Sequence, residues 1–180
     1  MKNSASAKRA NSQHPAKARP PQAAKNLGVY FHDHLAGAMG ALELLDHLLQ
    51  HTKTASRRAQ LVLLKKEISK DQDVLAKIAQ GLGLEDSPMK KALGWIGEKA
   101  ARLKFALSKD QPGSVGLVQA MEVLSLGIAG KRGLWDALAA TQPLGMAKMK
   151  INLAKLVARA DRQRALVEGW RIEAAREAFL

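Results

Sequence analysis

Residues 63–80, "LLKKEISKDQDVLAKIAQ", decide the fold. At about 100° per residue, Leu64, Ile68, Leu75 and Ile78 fall on one side, so the stretch reads as a single amphipathic helix. Two acids, Glu67 and Asp71, share that apolar side. A buried carboxylate is costly unless a cation or several donors meet it. This helix must therefore pack against other elements that bring partners to its core face.

The same period runs outward in both directions. Upstream, Phe31, Leu35, Ala38, Leu42, Leu45 and Leu49 predict a helix from Leu27 to about His51. "HTKTAS" links it to the opening helix, with Thr54 or Ser56 as cap and Gly81 and Gly83 as the stop. "EDSP" then starts a third helix, with Leu93, Ile96, Ala100, Leu103 and Leu107 inward, to about Ser108. "KDQPGSVG" breaks the chain before a fourth, about Val115 to Ala140. That helix is apolar almost all round between Val115 and Gly130, which predicts the most buried element. It falls short of the roughly 20 apolar residues a membrane span needs. A last helix is expected from about Met146 toward the C-terminus, with Met149, Leu153, Leu156, Val157, Ala160 and Val167 inward. No alternating strand pattern occurs. The fold class is all-α, an antiparallel bundle of four to five long helices.

Charge divides the chain. The net charge is +13, and residues 1–25 hold six Lys or Arg, three Pro and no acid. They predict a disordered basic arm ahead of a bundle domain at 27–180. The arm lacks the apolar segment of a secretory signal. The absence of cysteine excludes disulfides, zinc ribbons and thiol catalysis, and fits a reducing, cytoplasmic interior. The basic balance favours an acidic partner or nucleic acid without choosing between them. A homo-oligomer is compatible with such a bundle.

Further polar residues point toward the predicted core: His34 on the first helix, Glu122 and Lys131 on the fourth, and Asp161, Arg164 and Glu168 along the last. The expected polar core is thus His34, Glu67, Asp71, Glu122, Lys131, Asp161, Arg164 and Glu168. Gly37, Gly40, Gly127, Gly130 and Gly133 are expected to let the first and fourth helices approach closely. "HDH" at 32–34 cannot hold one ion on a helix, because its two imidazoles diverge by about 200°. "GIAGKRG" lacks the phosphate-loop spacing.

Long helix pairs with Glu67, Glu122 and Asp161 on different helices give residues 27–180 a resemblance to the ferritin-like superfamily. The resemblance implies a bundle with a carboxylate centre and, in its di-iron members, iron or manganese oxidoreductase chemistry. If a metal were held, Glu67, Asp71, Glu122 and Asp161 would be its ligands. The superfamily's Glu-x-x-His motif is missing, however. Lys70, Ser125 and Arg164 stand three residues after Glu67, Glu122 and Asp161, and no histidine follows His51. A degenerate site without metal or other cofactor is expected, in a non-enzymatic protein acting by binding or assembly. A nucleic-acid-associated role is the alternative: residues 146–178 hold eight bases against four acids, but without a helix-turn-helix signature or interleaved aromatics.

Overall fold

The computed structural model describes residues 20–84 and 114–180. The expected third helix and residues 1–19 of the arm lie outside them. Among the described residues the chain forms four long helices and no strand. They are α1 (Pro21–His51), α2 (Ala55–Gly81), α3 (Val115–Thr141) and α4 (Leu153–Phe179), with a 3-10 turn at Met146–Met149. The expected fourth helix is thus α3.

α1 begins inside the stretch read as arm. Pro21 stands in its first turn, where the missing N–H costs no hydrogen bond and the fixed φ suits a helix. α2 stops at Gly83, whose φ of +66° is the left-handed conformation that glycine adopts freely. α3 starts where the Ser114 side chain accepts from the Leu117 amide.

The last helix starts later than its periodicity suggested. Gly145 (φ +98°) and Lys150 (φ +51°) are left-handed, and the chain between them turns as a 3-10 helix. Met146 is buried there, and Met149 lies over Gly81, where an added Cβ would overlap its methyl. Asn152 then caps α4, its Oδ1 accepting from the Lys155 amide at 3.0 Å. The apolar spacing of Met146, Met149 and Leu153 is real, but a turn satisfies it as well as a helix does.

The core has two apolar clusters stacked along the bundle. One gathers Leu44, Leu45 and Leu48 of α1 with Leu61, Leu64, Ile68, Met121, Leu124, Ile128, Val167 and Trp170. The other gathers Phe31, Leu75, Ile78, Leu134, Trp135, Leu138, Leu153 and Leu156. These memberships give the direction of every helix. α1 and α4 run from the Phe31 cluster to the Leu45 cluster, while α2 and α3 run the other way. α1 and α2 are an antiparallel pair, as are α3 and α4, and the α3–α4 contact is the most extensive. The chain leaves α2 at one end of the bundle and enters α3 at the other.

α3 has more buried residues than any other described helix, as expected, yet it is not covered all round. Leu124 and Ile128 face inward, but Leu126 is 72% exposed and Val123 42%. Among the described residues the helices packed on α3 lie on one side of it, and an apolar stripe of ordinary width is what they cover. Leu124→Ala should therefore destabilise by about 2–5 kcal/mol and Leu126→Ala by less than about 0.5 kcal/mol in urea denaturation. Comparable losses at the two positions would contradict this orientation of α3.

Candidate functional site

Between the two apolar clusters lies a polar layer centred on Asp71, which is 1% exposed. Helical spacing builds it. Asp71 sits between Ile68 and Leu75 on α2, Lys131 between Ile128 and Leu134 on α3, and Gln163 between Ala160 and Val167 on α4, each within its helix's buried stripe. The Lys131 Nζ donates to Asp71 Oδ2 at 2.6 Å and to Gln163 Oε1 at 2.5 Å. Arg159, one turn before Gln163, donates from Nη2 to the other carboxylate oxygen, Asp71 Oδ1. The Gln163 Nε2 donates to Glu67 Oε2 at 2.9 Å and lies 3.5 Å from Asp71 Oδ2. One buried carboxylate thus binds three helices through two cations and an amide.

The electrostatics follow from burial. Removal from water pushes the Lys131 ammonium below the ordinary lysine range, although the adjacent Asp71 carboxylate draws it back up. Arg159 adds like-charge repulsion in the same downward direction. The two bases and two acids of the layer nevertheless compensate one another in charge.

The other expected core residues separate from this layer. Glu122 is exposed, 3.8 Å from Arg171. Asp161 is also at the surface, accepting from Arg132 Nε at 2.7 Å. Arg164 is exposed as well. All three lie at the margin of their helices' apolar stripes, and each turns to water, where a charge needs no buried partner. Glu168 is half-buried and takes a hydrogen bond from Ser125 Oγ at 2.5 Å and another from Arg171 Nε at 2.8 Å. Those donors hold its carboxyl below the usual carboxylate range. His34 is half-buried on α1, edge-on to Tyr30. Burial lowers its basicity, against the opposing charge of Asp33.

The glycines do not bring helices into close contact. A Cβ added at Gly37, Gly40, Gly127 or Gly133 would meet nothing within 4 Å, and one at Gly130 would reach only the His34 ring at 3.9 Å. They leave space instead. A cavity of about 210 Å³ lies beside the polar layer, with His34, Gly37, Asp71, Gly130, Lys131 and Trp135 among its walls.

The donor set does not suit a metal shared by Glu67, Asp71, Glu122 and Asp161. Both Asp71 oxygens are already engaged by cations, and Glu122 and Asp161 face solvent. Among the described residues no three His, Cys, Asp or Glu side chains are grouped to hold an ion. No known protein family, curated protein or solved structure matches the chain.

Reading the sequence missed Arg159, Gln163 and Trp135. Gln163 had a signal: it stands in the buried stripe three residues after Ala160 and four before Val167. Arg159 is one turn from it on a neighbouring face, where an arginine is usually solvated.

Asp71→Asn should cost about 2–4 kcal/mol, because two partly buried cations lose their counter-charge. Glu67→Gln should cost at most about 1.5 kcal/mol, since the hydrogen bond of Glu67 in the layer is to an uncharged amide and its attraction for Lys131 is the weaker, longer-range one beside that of Asp71. Equilibrium denaturation of both variants checks the ranking. Lys131 also gives a signed pH dependence. Its depressed folded-state pKa means the unfolded chain binds the proton more tightly, so its contribution becomes more favourable as pH rises from the folded value to the ordinary lysine value. The stability of wild type relative to Lys131→Met should therefore increase across that alkaline window. A decrease would reverse the assignment.

Proposed function

We propose that the chain is a non-catalytic bundle of ferritin-like type that acts by binding, its carboxylate centre neutralised by the protein's own cations. The observation that carries this reading is the Asp71 carboxylate held between Lys131 and Arg159. In a bundle metal site, inward carboxylates converge on an ion. Here an ammonium and a guanidinium fill that electrostatic role. The topology supports the ferritin-like part of the proposal: two antiparallel pairs, α2 and α3 running the same way, and one connection spanning the bundle's length are the arrangement of ferritin-like folds.

The basic last helix offers less free positive charge than its composition suggests. Arg159 is spent on Asp71, and Arg171 lies against Glu168 and Glu122. A nucleic-acid role would therefore rest on the arm and on exposed residues such as Arg162 and Arg164.

The test combines variants with metal analysis. Purified protein, before and after incubation with iron or manganese, should carry no stoichiometric metal, and chelator should leave its melting temperature unchanged. Replacing Glu67, Asp71, Lys131 and Arg159 together by Gln, Leu, Met and Leu should cost much less than Asp71→Asn alone, because both acids and both bases of the layer are then removed and no charge in it is left unpaired. Under a metal-centred alternative, removing the two bases could not rescue the loss of the acid. Unfolding by chelator, or a combined variant as damaged as the single one, overturns the proposal.

A further inference from the structure

By turning Glu67 and Asp71 inward, α2 leaves the bases of its outer surface without local counter-charge. Lys66, Lys70 and Lys77 are exposed there, and among the described residues none of them is ion-paired. Their spacings of four and seven residues hold them within about 40° of one line along the helix. Asp73 is the one acid beside them.

α4 completes the face. Lys155 and Arg162 stand one turn to either side of Arg159, which reaches α2, and both are exposed on that flank. Asp71 meets Arg159 and Glu67 meets Gln163 across the antiparallel pair, so Lys77 lies near the level of Lys155 and Lys66 near that of Arg162. The turn before α4 is seated on α2, with Met149 over Gly81, and adds the exposed Lys148 and Lys150 at the Lys77 end. Elsewhere on the surface bases and acids are paired: Lys65 with Asp46, Arg57 with Glu173, Arg132 with Asp136 and Asp161. Positive charge is therefore concentrated on the outer face of α2 and α4. Residues 1–19, with five Lys or Arg and no acid, join α1 at the same end of the bundle.

The chemistry of this face selects its partner. No large apolar or aromatic side chain is exposed within 66–77, 148–150 or 155–162. Insertion into a lipid surface needs apolar side chains, tight docking of a protein needs an apolar or aromatic anchor, and a single strand needs aromatic platforms for its bases. A duplex needs none of these. It presents one phosphate charge per about 1.7 Å of axis, so a line of lysines about 16 Å long meets phosphates in any register.

We propose that the outer face of α2 and α4 binds double-stranded DNA without regard to sequence, Lys66, Lys70 and Lys77 on one helix and Lys155 and Arg162 on the other donating to backbone phosphates. The proposal names a partner for the binding bundle and rests on that reading in this respect only. Its failure would leave the paired, metal-free core to be judged by chelator and combined replacement.

Fluorescence anisotropy of short labelled DNA duplexes, titrated with the full-length protein, tests it. Two duplexes of unrelated sequence should bind equally, and affinity should fall steeply between about 50 and about 200 mM salt as counterions are released. Replacing Lys66, Lys70 and Lys77 together by Gln should weaken binding at least tenfold and reduce the slope of log K against log salt by roughly three. Replacing Lys53, Arg58 and Arg176 by Gln removes the same net charge from exposed positions at the other end of the bundle, and should weaken binding much less. All six positions are exposed, so both variants should melt as wild type does. Removing residues 1–19 should weaken binding without abolishing it. An RNA duplex, vesicles containing phosphatidylserine and polyglutamate should each bind no more tightly than DNA. The proposal is overturned if the two triple variants lose affinity equally, if binding resists salt, if one DNA sequence is strongly preferred, if deletion of residues 1–19 abolishes binding, or if any of the other three polyanions binds best.

Discussion

The rest of this bundle is arranged around one desolvated carboxylate. Asp71 is almost wholly removed from water, and each of its oxygens is met by a cation from a different helix. That requirement sets the relative height of α2, α3 and α4, because a slip of one turn, about 5.4 Å, would leave the charges unpaired. Apolar contacts alone discriminate poorly between such slips, since leucine and isoleucine recur every three or four residues on all three helices. The Ile68 and Leu75 turns of α2 can stack on either side of the layer only because the layer itself is satisfied. Its contribution to net stability is small or even negative relative to an all-apolar core. What it supplies is a single register.

α1 stands outside this network, and that asymmetry shapes the molecule. It packs on α2 and α3 through Phe31 at one end and Leu44, Leu45 and Leu48 at the other. At the height of Asp71 it presents His34, Gly37, Ala38 and Ala41. None of these side chains reaches into the acid–base layer by a hydrogen bond, and three of them are too small to fill the gap. The cavity is therefore a consequence of small residues facing a polar layer that three helices complete without the fourth. Filling it with larger apolar side chains would be the usual route to a tighter core.

The helices were legible because periodicity and punctuation agree. Apolar spacing with Gly83 as a stop located α2, and the break before Val115 located α3. Asp71 and Lys131 were legible as inward charges because both lie in the middle of an apolar stripe. Glu122, Asp161 and Arg164 were misread for a related reason: each lies at a stripe's margin, where a small rotation of the helix decides between core and water, and a helical wheel does not determine that rotation. Arg159 was missed by the converse effect. Its long side chain starts from a half-exposed position and reaches inward, so the charge sits farther inside than its place on the helix indicates. The glycines carried a true signal with the wrong sign. Absent side chains on facing helices can mean contact or space, and only the interhelical separation distinguishes them.

A protein cation and a metal ion neutralise inward carboxylates in different ways. A divalent ion accepts several carboxylates at once and draws them to a common point, so acids from all the helices converge. An ammonium has one charge and three directional donors, and it is balanced once a single carboxylate and a neutral acceptor have been satisfied. Lys131 meets that limit with Asp71 and Gln163. The acids of the neighbouring helices then have no electrostatic reason to turn inward, and Glu122 and Asp161 pair with arginines at the surface instead. The dispersal of the carboxylates and the presence of lysine at the centre are thus one feature. Once a monovalent, tethered cation occupies the core, the remaining acids are released to the surface.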